Sequence, residues 1–246
     1  MFACRYNALY VIDRKRLRMA NGKLYGVSVG PGDPELLTLK AIRVIQEADV
    51  VAVPNIGHKR QTAYAICEAY LEGKELLDCS TPMTKDRSVV LAAYDKIAED
   101  LCALLSEGKS VAYLCLGDIA IYSTYIYVHD IVVARGFDAE IIPGVTSFCA
   151  VAARLGTALC EGPERLLIAP VMAADVDDIL DVPANKVFMK SGKAVQELRD
   201  KLAARGELDR ASMVANCGLA DEKVFEHFAD IDDDGDYFSV VIVKGA

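Results

Sequence analysis

The sequence predicts an α/β fold of two α/β domains: a doubly wound, mainly parallel five-stranded sheet in the first domain and a mixed sheet in the second. Strand-like and helix-like segments alternate from residue 23 to the Pro143–Gly144 turn, as in sheets whose parallel strands are joined by crossover helices. Beyond that turn, only the acidic stretch 230–236 separates the last two strand-like segments, which predicts an antiparallel pair. The 246 residues suffice for two modest domains.

In the first domain, each predicted strand ends in a turn and leads into a helical pattern. The first helix is the clearest, because apolar side chains recur at helical spacing from Glu35 to Ala48. Asp33 and Glu35 lie near its start, where carboxylates interact favourably with the helix dipole. The predicted strands cover residues 24–29, 49–53, 75–79, 110–116 and 139–142. The predicted helices cover residues 35–48, 62–71, 87–105 and 121–134.

The domain boundary is placed at the Pro143–Gly144 turn. This division gives a basic N-terminal extension over residues 1–21, a first domain over 22–143 and a second domain over 144–246. The predicted strands of the second domain cover residues 166–169, 186–189, 211–215, 223–227 and 237–243. Its predicted helices cover residues 146–155, 175–180 and 195–204. A cleft is expected between the two domains.

The composition limits the partners of the protein. Lys and Arg number 27 against 36 Asp and Glu, a net charge of −9, and such an excess of carboxylates disfavours a nucleic-acid partner. Apolar runs stay far below the roughly 20 residues of a membrane span. The basic residues at 14–18 follow a few apolar ones, which reverses the order of a secretory signal. We expect a cytoplasmic protein without a nucleic-acid or membrane partner.

Cysteine and histidine spacing argues against a dedicated metal site. The eight cysteines include no C-x-x-C pair, and the three histidines are isolated from one another. Zinc sites and thioredoxin-like motifs need closely spaced ligands. Most of the cysteines have apolar neighbours, as small buried side chains do in a reducing compartment. No protein-bound metal is therefore expected.

Three turns at predicted strand ends are candidates for ligand binding: Gly30–Pro34, Leu116–Ala120 and Pro143–Ser147. In an open parallel sheet, ligands bind beyond the carboxyl ends of the strands, where backbone amides and helix N-termini point outward. The first turn is neither a dinucleotide fingerprint nor a P-loop. Each turn alone is a weak signal, but the three together predict a binding cleft.

The same turns carry a family resemblance. Residues 27–41 (VSVGPGDPELLTLKA), 116–125 (LGDIAIYSTY) and 143–147 (PGVTS) resemble three motifs of the tetrapyrrole methyltransferases, which methylate uroporphyrinogen and corrin precursors from S-adenosylmethionine. Within that family the chain is most similar to the precorrin-2 C20-methyltransferases. Four short segments carry this closer similarity: residues 82–86 (PMTKD), 122–125 (YSTY), 188–190 (FMK) and 237–239 (YFS).

The resemblance implies a cofactor, an assembly and a set of site residues. S-adenosylmethionine is expected in the cleft, with S-adenosylhomocysteine as its product, in a homodimer. The cofactor-binding positions implied are Pro31, Leu116, Gly117, Asp118, Ile121, Thr146, Ser147, Met189 and Cys217. Asp118 has two readings: an acceptor for the cofactor's amino group, or a turn residue that binds backbone. In the second motif the family usually has proline where this chain has Ile119, a change that backbone-mediated contacts tolerate because proline mainly fixes φ.

The implied substrate is an anionic tetrapyrrole, so basic side chains are expected around the cleft despite the net charge of −9. The predicted substrate-binding residues are Lys59, Arg60, Lys85, Tyr122, Tyr125 and Lys190. Methyl transfer from a sulfonium is an in-line displacement that depends mainly on positioning. Tyr122, Tyr125, Asp118 and Lys190 are candidates for handling the proton released from C20, and no single base is chosen.

The substrate form and three alternative functions stay open. The 82–86 segment looks more like the members that act on cobalt-precorrin-2 than those that act on metal-free precorrin-2. One alternative is the same fold acting on ribosomal RNA or a protein histidine, which the acidic balance and the 122–125 motif disfavour. A second, suggested by Ile119, is a catalytically silent S-adenosylmethionine-binding protein. A third is a nucleotide-dependent oxidoreductase, disfavoured because the dinucleotide fingerprint is missing.

Overall fold

The computed structural model describes residues 21–56, 59–60, 62–171, 175–231 and 238–245. The predicted basic extension, apart from Asn21, lies outside this range. In the described part of the chain, no helix has both the length and the apolar character that a membrane span requires.

The first domain is built on five parallel strands, which confirms the predicted fold class. In chain order they are β1 (Lys23–Ser28), β2 (Val50–Ile56), β4 (Glu75–Thr81), β5 (Val111–Cys115) and β6 (Asp138–Ile142). Their order across the sheet is β4-β2-β5-β1-β6. A two-residue strand that was not predicted, β3 (Lys59–Arg60), pairs antiparallel with the end of β2. All five parallel strands therefore direct their carboxyl ends to one edge of the sheet.

Helices cover both faces of this sheet. They are α1 (Leu39–Glu47), α2 (Thr62–Cys67), α3 (Arg87–Ser106) and α4 (Tyr125–Ala134). α1 and α2 pack on the face that includes Val27 and Leu114, whereas α3 and α4 pack on the face that includes Leu24 and Tyr113. The sheet is thus doubly wound, with an apolar layer on each side.

Two of the predicted helices begin later than expected. α1 begins at Leu39 rather than Glu35, because Leu37 is extended and the Thr38 hydroxyl caps the helix by accepting from the Ala41 amide at 3.1 Å. α4 begins at Tyr125 rather than Ile121, because Tyr122 has a left-handed φ of +53° that no α-helix contains.

The second domain contains the predicted mixed sheet. Its strands are β7 (Leu166–Pro170), β8 (Asn185–Met189), β9 (Ala211–Ala215), β10 (Lys223–Phe225) and β11 (Ser239–Val243). They lie in the order β10-β9-β11-β8-β7, with only β7 and β8 parallel. Its helices are α5 (Ser147–Arg154), α6 (Val176–Leu180) and α7 (Val195–Ala204).

Short 3-10 turns occur in both domains. They cover Pro34–Leu36, Glu68–Tyr70, Gly192–Ala194, Leu208–Arg210 and Phe228–Asp230.

The predicted pairing of the last two strands is wrong. β10 and β11 both pair with β9, on opposite sides of it, and not with each other. β11 is buried along its whole length and takes an interior position between β9 and β8, whereas the shorter, more exposed β10 forms an edge. Tyr237, the predicted start of the last strand, lies outside the described residues.

The helix that follows the Pro143–Gly144 turn packs on the second sheet. Phe148 and Val151 of α5 contact the sheet face that includes Val187 and Val240. α6 and α7 cover the opposite face, around Phe188. α5 therefore links the carboxyl edge of the first sheet to the body of the second domain.

Candidate active site

A cavity of about 500 Å³ lies between the two domains, at the carboxyl ends of the first domain's strands. Both domains contribute to its wall, since Leu114 and Cys115 end β5 on one side and Val240 belongs to β11 on the other. All nine positions predicted for the cofactor line this cavity: Pro31, Leu116, Gly117, Asp118, Ile121, Thr146, Ser147, Met189 and Cys217. The fold thus brings together residues that are up to 186 positions apart in the chain, from Pro31 to Cys217.

The first and second turns bind each other through backbone. The Gly30 amide donates to the Gly117 carbonyl at 3.2 Å, and the Gly117 amide donates to the Gly30 carbonyl at 2.8 Å. Both glycines have positive φ, +77° and +72°, which other residues adopt only with strain. The space where a side chain of Gly117 would stand is open. The paired turns therefore leave their backbone accessible to a ligand.

Asp118 joins the second turn to the third. One carboxylate oxygen accepts from the Ala120 amide at 2.8 Å, and the other accepts from the Gly144 amide at 2.7 Å. The third turn can come this close to β1 only because residue 144 is a glycine, since a Cβ there would lie 2.7 Å from the Ser28 Cβ. Of the two predicted readings of Asp118, the structure shows the backbone-binding one.

Ile119, the departure from the family pattern, is held firmly. Its amide donates to the buried Ser28 hydroxyl at 3.0 Å, a bond that proline could not make. Its side chain is 2% exposed and packs in the first-domain core. The turn that lacks the family proline is therefore fixed by a hydrogen bond and by apolar packing.

Two buried hydroxyls in the cavity wall have no hydrogen-bond partner among the described residues. Thr146 precedes α5 with extended backbone, and its Oγ1 makes no capping bond. Ser239, at the start of β11, is 1% exposed and its Oγ is likewise unpaired. Buried polar groups are costly when unpaired. Together with the amides at the start of α5, these hydroxyls favour a polar ligand in the cavity.

The first turn also meets the second domain at close range. A Cβ at Gly32 would lie 2.4 Å from the Cys217 carbonyl oxygen, and a Cβ at Gly218 would lie 2.7 Å from the Asp33 amide nitrogen. Burial raises the pKa of the Cys217 thiol to about 11. The thiol therefore stays protonated at neutral pH and acts as a contact rather than a nucleophile.

Tyr122 and Lys190 connect the two domains at another part of the cavity wall. The Tyr122 hydroxyl donates to the Ile168 carbonyl of β7 at 3.0 Å, and the Lys190 ammonium donates to the Tyr122 carbonyl at 3.0 Å. The ammonium also lies 5.8 Å from the centre of the Tyr122 ring. Burial lowers the pKa of Lys190.

Tyr125 lines the cavity but packs mainly in the first-domain core, and its predicted roles in substrate binding and proton handling stay predictions. It is 1% exposed, and its ring fills the space that a Gly26 side chain would need. Its hydroxyl shares a 3.2 Å hydrogen bond with His129 Nδ1, and its ring packs on Tyr113. Burial raises the pKa of its hydroxyl, which keeps the group protonated.

Comparison with known proteins decides the family. The family described as "Tetrapyrrole (Corrin/Porphyrin) Methylases" matches residues 23–231, which is most of the chain. The protein belongs to the tetrapyrrole methylase family. The resemblance predicted from the three turns is thereby confirmed.

Relatives and solved structures of this family match most of the tetrapyrrole methylase chain. A probable cobalt-precorrin-2 C(20)-methyltransferase of Methanocaldococcus jannaschii is 34% identical over 90% of this chain and 96% of the relative. A precorrin-2 C(20)-methyltransferase of a Sinorhizobium species is 32% identical over 91% of this chain and 96% of the relative. The structure of a cobalt precorrin-4 methyltransferase shares the fold with a TM-score of 0.73 at 20% sequence identity. This match covers 95% of this chain and 97% of that structure's chain. The structure of a Thermus thermophilus uroporphyrin-III C-methyltransferase, complexed with S-adenyl homocysteine, matches with a TM-score of 0.63 at 20% sequence identity. This match covers 90% of this chain and 97% of that structure's chain.

The basic rim expected of this tetrapyrrole methylase is not formed by the described lining residues. Among them, Lys190 is the one lysine or arginine. Lys85 belongs to an exposed segment between β4 and α3 and does not line the cavity. Lys59 and Arg60 contribute their backbone to β3, and their side chains lie outside the described residues. Within the described chain, no group of three or more His, Cys, Asp or Glu is placed to hold a metal ion.

Ser28, which holds the Ile119 turn, was not among the predicted site residues. A signal was present, because Ser28 is a lone polar residue between Val27 and Val29 in an apolar strand. Ser239 belongs to the 237–239 segment that resembles the family, but its unpaired hydroxyl depends on how β11 meets the cavity. No pattern in the chain indicates that.

Proposed function

We propose that this protein transfers a methyl group from S-adenosylmethionine to C20 of a precorrin-2 tetrapyrrole, a step of cobalamin biosynthesis. The observation that carries the proposal is the convergence of the three family turns and two second-domain segments on one interdomain cavity. Relatives of this printed function match over nine-tenths or more of both chains. The family membership, the shared fold and the cavity all agree with this assignment.

The nine predicted residues fit the cofactor. The mutually hydrogen-bonded first and second turns form a fixed backbone surface, and the open space at Gly117 beside it admits the methionine part. The unpaired hydroxyl of Thr146 and the free amides at the start of α5 suit a polar or anionic group. Met189 and Cys217 would contact the adenosine from the second domain. S-adenosylmethionine supplies the methyl group on a positively charged sulfur, which makes the leaving group a good one.

Positioning is the main contribution of this chain to the rate. Holding two reactants in line at van der Waals distance can supply roughly 7–11 kcal/mol of the barrier. Three hydrogen-bonded turns, tied by Asp118 and Ser28, form a rigid wall for one reactant. Among the described lining residues, Tyr125 and Cys217 stay protonated at neutral pH because burial raises their pKa values. Neither is therefore suited to remove the C20 proton.

The cobalt-loaded form is the proposed natural substrate. The 82–86 segment resembles members that act after cobalt insertion, and one of the two relatives described above has cobalt-precorrin-2 in its name. Cobalt would then enter as part of the substrate rather than as a resident metal of the protein.

The proposal is tested by incubating the protein with S-adenosylmethionine and either cobalt-precorrin-2 or metal-free precorrin-2. Mass spectrometry is expected to show a gain of one methyl group, faster with the cobalt form. A reaction without tetrapyrrole controls for hydrolysis of the cofactor. Binding of S-adenosylhomocysteine without any methylated product would contradict the proposal and favour a silent binding protein.

A cytoplasmic homodimer completes the proposal. Exposed apolar side chains on the neighbouring helices α3 and α4 support a partner subunit: Val89, Leu91, Tyr127 and Val133. The described cysteines are free thiols, which suits a reducing compartment. Light scattering should give a dimer mass for the wild type and a monomer for Tyr127→Asp, whereas cell fractionation should place the protein in the cytosol.

The interdomain boundary at Pro143–Gly144 is also proposed rather than established. It is supported by α5, which follows the turn at once and packs on the second sheet. Limited proteolysis is expected to cleave close to this turn.

A further inference from the structure

The Lys190 ammonium is only partly used by the protein. It carries three N–H donors, and the described residues engage one of them, through the Tyr122 carbonyl at 3.0 Å. The aromatic face of Tyr122 adds a weak attraction at 5.8 Å. The side chain is half-buried in the cavity wall. Water therefore solvates it incompletely, and the described residues leave two of its donors unengaged.

No carboxylate of the described residues forms an ion pair with Lys190. Other lysines of the described chain are neutralised, such as Lys23 by Glu140 at 2.6 Å and Lys96 by Asp100 at 2.9 Å. Burial lowers the pKa of Lys190, and no carboxylate of the described part of the chain opposes that effect. A half-buried cation without a counter-charge is unfavourable, and an anionic ligand would correct that.

The backbone at Lys190 indicates that its side chain is needed. Its φ is +54°, a left-handed conformation that glycine adopts freely and lysine adopts only with strain. Its partner Tyr122 has a φ of +53°. Strained backbone persists where the surrounding structure holds it and is concentrated at functional sites. The strain places an ammonium at the end of β8, in the wall of the cleft.

We propose that Lys190 binds a carboxylate of the tetrapyrrole and so sets the orientation of the macrocycle in the cleft. This inference rests on the proposed function and names the residue that recognises the anionic substrate. Tyr122 is the positioning residue, since its carbonyl holds the ammonium and its hydroxyl anchors it to Ile168 of β7. The remaining N–H donors of Lys190 bind the carboxylate.

Three substitutions at Lys190 separate charge from structure. Lys190→Met removes the charge, Lys190→Gly removes the charge and the backbone strain together, and Lys190→Arg keeps a cation. Lys186→Met is the matched control, because Lys186 is also buried on β8, donates to the Ala184 carbonyl at 2.9 Å and does not line the cavity.

Steady-state kinetics with cobalt-precorrin-2 give the readout. Loss of a charged hydrogen bond predicts a tetrapyrrole KM raised about 10- to 100-fold in Lys190→Met and Lys190→Gly. The KM for S-adenosylmethionine should be unchanged, Lys190→Arg should recover most of the tetrapyrrole affinity, and Lys186→Met should behave as wild type. Lys190→Gly should also melt at or above the wild-type temperature. An unchanged tetrapyrrole KM in folded Lys190→Gly, or an equal rise in both KM values, would overturn the proposal.

A binding measurement separates this inference from the proposed reaction. Uroporphyrin, a stable polycarboxylate tetrapyrrole, is titrated against the wild type and the same variants by fluorescence. Weaker binding in Lys190→Met and Lys190→Gly only would support the carboxylate contact even if the wild type transferred no methyl group. Equal binding by wild type, Lys190→Met and Lys190→Gly would overturn the contact while leaving methyl transfer to its own assay.

Discussion

At the scale of single residues, the site depends on polar side chains that hold turns in place. Asp118 uses both carboxylate oxygens on backbone amides, and Ser28 accepts from the Ile119 amide. The sequence predicted which turns matter, because strand ends and glycine-aspartate pairs are visible in it. It could not predict that Ser28 approaches Ile119 or that Gly144 approaches Asp118, since those contacts form only when β5 and β6 pair with β1 on either side of it. The motif also gave no sign that Tyr125, which lines the cavity, packs mainly in the first-domain core.

Ser28→Ala should destabilise the protein by about 1–3 kcal/mol, because it leaves the buried Ile119 amide without an acceptor. The measurement is urea unfolding. Ser106→Ala is the matched control, since the Ser106 hydroxyl only donates to a helix carbonyl near the surface, and its cost should stay below about 1 kcal/mol. Equal stability of Ser28→Ala and wild type would contradict the account of Ile119.

Asp118→Ala should weaken S-adenosylhomocysteine binding by about tenfold or more, because the second and third turns lose their link. Asp118→Asn should lose less, since its remaining oxygen can still accept from one amide. Calorimetric titration measures both. Asp130→Asn, at an exposed position on α4, should bind like wild type. If Asp118→Ala bound normally, the carboxylate would have no part in shaping the site.

At the scale of elements, hydrophobic periodicity predicted most strands and helices, and tertiary contacts explain the differences. Ile121 and Tyr122 fit a helical pattern, but contacts with Ile168 and Lys190 hold Tyr122 at positive φ, and α4 begins after it. β11 directly follows an acidic stretch, which suggested a hairpin with β10. Its fully buried sequence instead takes an interior position beside β9 and β8. The hydrophobic pattern of a single strand does not show whether that strand lies at the edge of a sheet or inside it.

The ion-pair cluster at Glu140 joins three elements and predicts a pH effect. Glu140 on β6 accepts from Lys23 on β1 and Lys40 on α1, and these hydrogen bonds lower its pKa from 4.5 to about 2. A carboxyl whose pKa is depressed in the folded state stabilises the protein above its unfolded pKa and loses that effect as the pH falls.

Glu140→Gln should therefore be less stable than wild type at pH 7, by up to about 1 kcal/mol because the cluster is partly exposed and screened. The difference should shrink as the pH falls from 4.5 toward about 2. Denaturant unfolding at several pH values measures it, and 1 M salt should reduce it. A difference that is constant from pH 7 to pH 2 would show that the charge of Glu140 is irrelevant.

At the scale of the whole molecule, the charge distribution and the domain contacts define the site. For a protein of net charge −9 with one described cation in its cleft, the proposed anionic substrate would have to be bound by local contacts rather than by the overall field. The domains meet closely at the first turn, through Gly32 and Gly218, and again through Tyr122 and Lys190. The cleft was predicted from the turns, and Tyr122 and Lys190 were predicted to lie in it, but the hydrogen bond between them was not, because they come from separate domains.

Gly218→Ala should weaken S-adenosylhomocysteine binding by about tenfold, because its Cβ would lie 2.7 Å from the Asp33 amide and push the first turn away. Gly73→Ala is the matched control, with a similar positive φ of +73° and open space around it. Both variants should lose about 1–2 kcal/mol of stability from backbone strain, but only Gly218→Ala should lose affinity in calorimetric titration. Equal affinities would mean that this domain contact does not shape the site.

The position of the transferred methyl group is the decisive test of the proposed methylation at C20. The protein is incubated with cobalt-precorrin-2 and S-adenosylmethionine carrying a ¹³C-labelled methyl group, and the product is examined by NMR. Methyl transfer to C20 predicts a single labelled methyl group, attached to that carbon. Labelling at another position, or no labelled tetrapyrrole although the protein binds the cofactor, would contradict it.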